Sequence, residues 1–124
     1  MSDCLFCKIV AGEIPSEVVA QSDTAYAFDD IEPQAPVHVL VIPREHITSA
    51  DHVADTHGGV VDDLVLLAQR VTELKGIRES GYRLVMNVGV DGNMSVAHLH
   101  LHVLGGRRMG WPPGRPLTPR PPRP

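Results

Sequence analysis

The 124-residue sequence predicts a mixed helix-and-strand domain, and three observations carry that reading. Short runs rich in valine and aromatic residues, bounded by proline and glycine, occur before residue 44 and after residue 81 and predict strands. Between them the apolar period changes to that of a helix. Near the end, "HLHLH" at residues 98–102 places three of the seven histidines at alternate positions. Same-face residues in a strand lie roughly 6.5–7 Å apart, so His98, His100 and His102 would line one face and Leu99, Leu101 and Val103 the other. A helix would scatter the same three histidines around its axis.

In chain order, "CLFCKIVAG" predicts a short helix ending near Gly12. Strands are expected over Glu17 to Gln21 and Thr24 to Phe28, with Ser22 and Asp23 as a tight connection. "PVHVLVIP" is a strand bracketed by Pro36 and Pro43, apolar on both faces apart from His38, which predicts a covered central position. Val60, Leu64, Leu67, Val71 and Leu74 recur at steps of four and three, a helix that Gly76 stops. Val61, Val65 and Ala68 widen its apolar face, so a second burial surface is expected, either more core or a partner subunit. "YRLVMNV" and "VAHLHLHVLGG" are two further strands joined as a hairpin by "GVDGNMS", whose polar groups would then sit beside the histidines. Residues 1–111 form the expected domain, and 112–124 a proline-rich tail that is polyproline-like or disordered at its end.

Composition bounds the function. Hydrophobic residues make up 43% of the chain, enough for one globular core. The net charge is -4, with all 15 acidic residues before Gly106, while Arg107, Arg108, Arg115, Arg120 and Arg123 follow it. An acidic body with arginines dispersed among prolines argues against nucleic-acid binding, which needs a clustered basic face. No apolar run has the length of a signal-peptide core or a membrane span, so a cytoplasmic protein without membrane contact is expected. Cys4 and Cys7, at C-x-x-C spacing, read as a redox pair, half a metal site or an incidental thiol pair.

Imidazole can be a nucleophile, a general acid or base near neutral pH, or a metal ligand. With His38 on another strand and a Ser/Asn-bearing hairpin loop, the histidines have the parts for acyl or phosphoryl transfer. H-x-H on a strand also suits a catalytic zinc site, and spacing does not choose between them.

Longer motifs do. "HLHLHVL" resembles the H-φ-H-φ-H-φ-φ signature (φ apolar) of the histidine triad (HIT) superfamily. "FCKIVAGEIPSEVV", "AFDDIEPQAPVHVLVIP", "REHI", "MNVGVDG" and "HVLGGRRMGWPPG" resemble its Hint branch from about Cys4 to Gly114. The resemblance implies an α+β, HIT-like fold: an antiparallel sheet with a long helix and a short N-terminal helix, the sheet continuing across a homodimer. It implies hydrolysis of purine nucleoside phosphoramidates, or other nucleoside monophosphate conjugates, through a nucleotidyl-histidine intermediate. His100 would be the nucleophile, His102 would contact the phosphate, and His38 and His98 would orient the cluster. Ser95 matches the serine near phosphate and leaving group, Asn87 an asparagine that helps hold the nucleotide, and Asp30 the carboxylate that accepts from ribose hydroxyls. Ile9, Ile14, Phe28, Ile31 and Leu40 match apolar positions around the base. No catalytic metal is required. Some bacterial relatives hold a structural zinc with the residues that correspond to Cys4, Cys7, His46 and His98, and this set suits a closed tetrahedral Zn²⁺ site. His52 and His57 are left as surface residues.

Two departures from the pattern matter. Asn93 and Met94 stand where relatives usually carry Gly and Gln, which affects leaving-group fit, and Asp29 replaces a histidine beside Asp30. In a strand the two carboxylates would face opposite ways, so only Asp30 need enter the pocket. Within the superfamily a diadenosine polyphosphate hydrolase is the alternative, although "GGRRMGWPPG" argues against it. Outside that class the alternatives are a nucleotide-binding regulatory protein with incidental turnover and a catalytic zinc hydrolase.

Overall fold

The computed structural model describes residues 3–114. The chain runs α1 (Leu5–Val10), β1 (Val18–Gln21), β2 (Ala25–Asp29), β3 (Val37–Pro43), two single 3-10 turns, α2 (Val60–Leu74), β4 (Tyr82–Val85) and β5 (Leu101–Gly105). The strands form one sheet in the order β1-β2-β3-β5-β4, with every neighbouring pair antiparallel. This is the expected α+β architecture, with β3 central as its two-sided apolar pattern required. The expected polyproline or disordered end of the tail falls on 115–124, outside the described residues.

Strand alternation divides the interior in two. Ala25, Ala27, Val39, Val41, Leu101 and Val103 point to one face and pack with Leu64, Leu67, Ala68 and Val71 of α2. Tyr26, Phe28, Leu40 and Ile42 point to the other and pack with Phe6 and Ile9 of α1. Val39, Val41 and Ile42 are completely buried, each worth about 1.5–3 kcal/mol relative to exposure. The α2 stripe holds at Leu64, Leu67 and Val71, but Leu74 is exposed, and Ala68 belongs to the domain's own core. Val61 and Leu66 are also exposed, so apolar surface remains uncovered along this helix.

The last two strands are shorter than the pattern suggests, and Pro43 explains part of this. Continuing the β3–β5 register, in which Val41 faces Leu101, would set Pro43 opposite Leu99, yet proline has no amide hydrogen for a ladder. Leu99 N instead donates to Ile47 O at 2.6 Å. His98 and His100 therefore precede β5 and only His102 lies within it, although Leu99, Leu101 and Val103 still face the α2 side as alternation predicts.

Candidate active site

Register aligns Phe28, Leu40, His102 and Val85 as one row across four strands. His38 lies two residues from Leu40, on the same face. A cavity of about 410 Å³ opens here and is bordered by Asp30, His38, Asn87, Asn93, Ser95 and His102. A second, of about 320 Å³, adjoins it and shares Asp30, Glu32 and Ser95. Its apolar wall includes Phe6, Ile9, Ile14, Phe28, Ile31 and Leu40. All five apolar positions anticipated from the sequence thus meet at one cleft, with Ile31 fully exposed at its rim. A larger groove, about 430 Å³, lies between the β1–β2 turn and α2 and is bordered by no histidine.

Three backbone groups set the proton positions of the imidazoles. The Gln34 amide donates to His38 Nδ1 at 3.0 Å, so the neutral His38 ring carries its proton on Nε2. That nitrogen lies 2.9 Å from His102 Nδ1 and 3.4 Å from Asp30 Oδ2. His102 Nδ1 accepts, which leaves the His102 proton on Nε2, the one buried side-chain nitrogen or oxygen without a hydrogen-bond partner among the described residues. His100 Nδ1 donates to the His98 carbonyl at 2.7 Å, so in the neutral ring Nε2 holds the lone pair. His98 Nε2 donates to the Pro43 carbonyl at 2.9 Å, turning its Nδ1 lone pair the other way.

Burial favours the neutral forms of His102, His38 and His98. It pulls the His102 pKa down to about 4, helped by His100 and His38 and opposed by Asp30. The His38 pKa is also lowered by burial, against the pull of Asp30. That of His98 is lowered by burial and by its imidazole neighbours, while its bond to Pro43 opposes them.

His102 borders the cleft and His100 lies buried behind it, its ring centroid 4.9 Å from that of His102, whereas His98 turns its ring to another group. Its Nδ1 lies 3.2 Å from Cys4 Sγ, 3.5 Å from Cys7 Sγ and 3.2 Å from His46 Nδ1, and Cys7 Sγ lies 3.3 Å from His46 Nδ1. The four donor atoms converge within 4.8 Å. A tetrahedron with metal–nitrogen and metal–sulfur bonds of about 2.0–2.3 Å has edges of roughly 3.3–3.8 Å, so this donor set fits zinc. His98 thus bridges the two groups: its ring belongs to the cysteines, and its carbonyl orients His100.

Asp29 and Asp30 part as expected, although β2 ends at Asp29 and Asp30 lies just beyond it. Asp29 meets Lys75 at the end of α2 at 2.9 Å, while Asp30 sits at the cleft, where its Oδ1 also accepts from Glu32 N at 2.8 Å. Asn93 takes a left-handed backbone with φ of 58°, so asparagine there adopts a conformation that usually favours glycine. Two contributors escaped sequence reasoning. Gln34 acts through its main chain, which no side-chain pattern reveals. Phe6 meets the His98, His100 and Phe28 rings edge-on at 5.1–5.9 Å, and its spacing from Ile9 was the available signal.

An antiparallel sheet with His38 and His102 on one face, His98 and His100 immediately before its last strand, and an apolar cleft alongside is the arrangement of a histidine-triad protein. The family model described as HIT domain matches residues 11–109, and the chain belongs to that family. It is 43% identical over 108 residues to the purine nucleoside phosphoramidase of Escherichia coli K12, covering 87% of this chain and 91% of that protein. It is 44% identical over 114 residues to a 14 kDa zinc-binding protein of Brassica juncea, covering 90% and 100%. A crystal structure of a HIT family hydrolase from Legionella pneumophila superposes with a TM-score of 0.87 at 47% identity, covering 90% of this chain and all of that one.

Proposed function

We propose that the protein cleaves purine nucleoside phosphoramidates and related nucleoside monophosphate conjugates through a nucleotidyl intermediate on His100. The protein is a HIT-family hydrolase. The observation that carries the finer reading is the lock of His100 Nδ1 on the His98 carbonyl, which leaves an unprotonated Nε2 on a ring 4.9 Å from that of His102, whose own Nε2–H has no partner among the described residues. In the first step His100 Nε2 bonds to phosphorus as the phosphorus–nitrogen bond to the amine breaks, and the amine leaves with a proton taken from solvent. Water then displaces His100, releasing the nucleoside monophosphate and a proton. His102 Nε2–H donates to a phosphoryl oxygen, and His38 holds the His102 ring. Ser95, which borders both cavities, lies beside the leaving group. Asn87 and Asp30 hold the nucleotide, Asp30 by accepting from ribose hydroxyls, and the apolar wall takes the base.

No step in this reading needs a catalytic metal. Cys4, Cys7, His46 and His98 hold a structural zinc, which ties α1 to the segment carrying His100. The HIT domain spans residues 1–111, acts in the cytoplasm and works as a homodimer. Exposed Val61, Leu66 and Leu74 on α2 and the open edge of β4 support that pairing. Sedimentation should then give twice the chain mass.

The test is turnover of a panel of adenosine and guanosine phosphoramidates and dinucleoside polyphosphates by the purified protein. Phosphoramidates should react fastest. Preference for dinucleotides would replace the substrate assignment with that of a diadenosine polyphosphate hydrolase. Tight monophosphate binding without any turnover would leave a regulatory binding protein.

A further inference from the structure

We propose that Arg107 is a positioning residue for His102, acting through the backbone of Gln34 and the ring of His38. Just beyond β5, Arg107 Nη2 donates to the Gln34 carbonyl at 3.1 Å, tying together segments 73 residues apart in sequence. The amide of the same Gln34 donates to His38 Nδ1 at 3.0 Å, and His38 Nε2 lies 2.9 Å from His102 Nδ1. At the end of this line stands His102 Nε2, buried and without a partner among the described residues. The preceding residue lets the two segments meet. Gly106 has φ of 87°, and a Cβ there would lie 2.8 Å from Pro36 Cβ, so a side chain would push the Gln34–Pro36 segment away.

The consequence follows from donor and acceptor counting. While Gln34 N–H holds His38 Nδ1, His38 donates through Nε2, His102 accepts at Nδ1, and His102 Nε2–H faces the cleft as a donor. If the Gln34 turn relaxes, His38 can place its proton on Nδ1. Its Nε2 is then an acceptor facing His102 Nδ1, and the bond survives only if His102 also moves its proton to Nδ1. His102 Nε2 then turns a lone pair toward a phosphoryl oxygen, and an attraction becomes a repulsion. Within the turn, Glu32 N to Asp30 Oδ1 at 2.8 Å and Gln34 Nε2 to Glu32 O at 2.9 Å are local ties. Arg107 adds the side-chain tie from outside it.

The effect on rate rests on the hydrolytic reading above, whereas the proton positions do not. The experiment is therefore ¹⁵N NMR of histidine-labelled full-length protein, paired with phosphoramidate kinetics. In the wild type, His38 and His102 should each show an unprotonated Nδ1 and a protonated Nε2. Arg107→Ala should introduce the opposite tautomer at both rings together and lower kcat about three- to tenfold, the scale of one exposed hydrogen bond. Arg107→Lys, which keeps a donor, should restore the spectrum and most of the rate, and Arg108→Ala, an equal loss of charge next door, should alter neither. Unchanged tautomers in Arg107→Ala, or a wild-type His38 protonated on Nδ1, would overturn the proposal whatever the rates. Wild-type protein inactive on every phosphoramidate would count against the hydrolytic reading alone, since the spectra still decide the coupling.

Discussion

His98 and His100 are two residues apart, buried, and of one chemical type, yet one ring faces two thiols and the other packs against the His102 ring. The difference lies in which nitrogen the backbone holds. Pro43 O takes His98 Nε2, leaving Nδ1 for Cys4, Cys7 and His46, while His98 O takes His100 Nδ1, leaving Nε2 for chemistry. His102, two residues further on, is held at Nδ1 by a ring and presents an N–H. In the proposed reading, three identical side chains serve as a ligand, a nucleophile and a donor because their carbonyl and imidazole partners differ. The lesson is that a histidine's role is written in its second nitrogen's partner.

The largest effect expected from breaking this comparison is on the cleft side. His100→Ala should fold and bind a nucleoside monophosphate but lose phosphoramidate turnover by three orders of magnitude or more, as removal of a covalent nucleophile does. On the thiol side, replacing Cys4 and Cys7 with serine should abolish zinc content and lower Tm by on the order of 10 °C, while the folded fraction keeps its turnover. Metal analysis with thermal unfolding checks this, and unchanged stability with no zinc in the wild type would remove the structural role. If instead the Cys-to-Ser protein stays fully folded and inactive, the two groups are not separable in function.

The smallest expected effect is one of pH. A His102 pKa of about 4 lies below its ordinary value, so the unfolded chain binds this proton more readily than the folded one. The resulting stability is fully present above about pH 6.5 and is lost as pH falls toward 4, with His38 adding in the same direction. Urea midpoints measured across that window should decline on the acid side, and His102→Asn should flatten the decline.

Much of this was legible in the sequence because strand alternation is a strict rule. It assigned His38, Leu40 and Ile42 to one face, Val39 and Val41 to the other, and separated Asp29 from Asp30. Family motifs supplied the cleft residues, which the fold does gather from α1, β2, β3 and the β4–β5 loop. What escaped was main-chain work. The early end of the β3–β5 ladder, the Gln34 amide on His38 and the two carbonyls that orient His98 and His100 depend on where backbone groups meet in space, and side-chain identity does not encode them. The breadth of the α2 apolar face was legible, but its division into core and uncovered surface was not, since Ala68 went inward and Leu74 outward.

The central claim, that His100 alone of the three presents an attacking nitrogen, is tested most directly by rapid quenching of the wild-type protein during turnover of a phosphoramidate labelled at phosphorus. Label should be trapped on His100, stable to base and labile to acid as a phosphorus–nitrogen bond requires, and absent from His98 and His102. Label on either neighbour, or a folded His100→Ala protein that still accumulates it, would contradict the account.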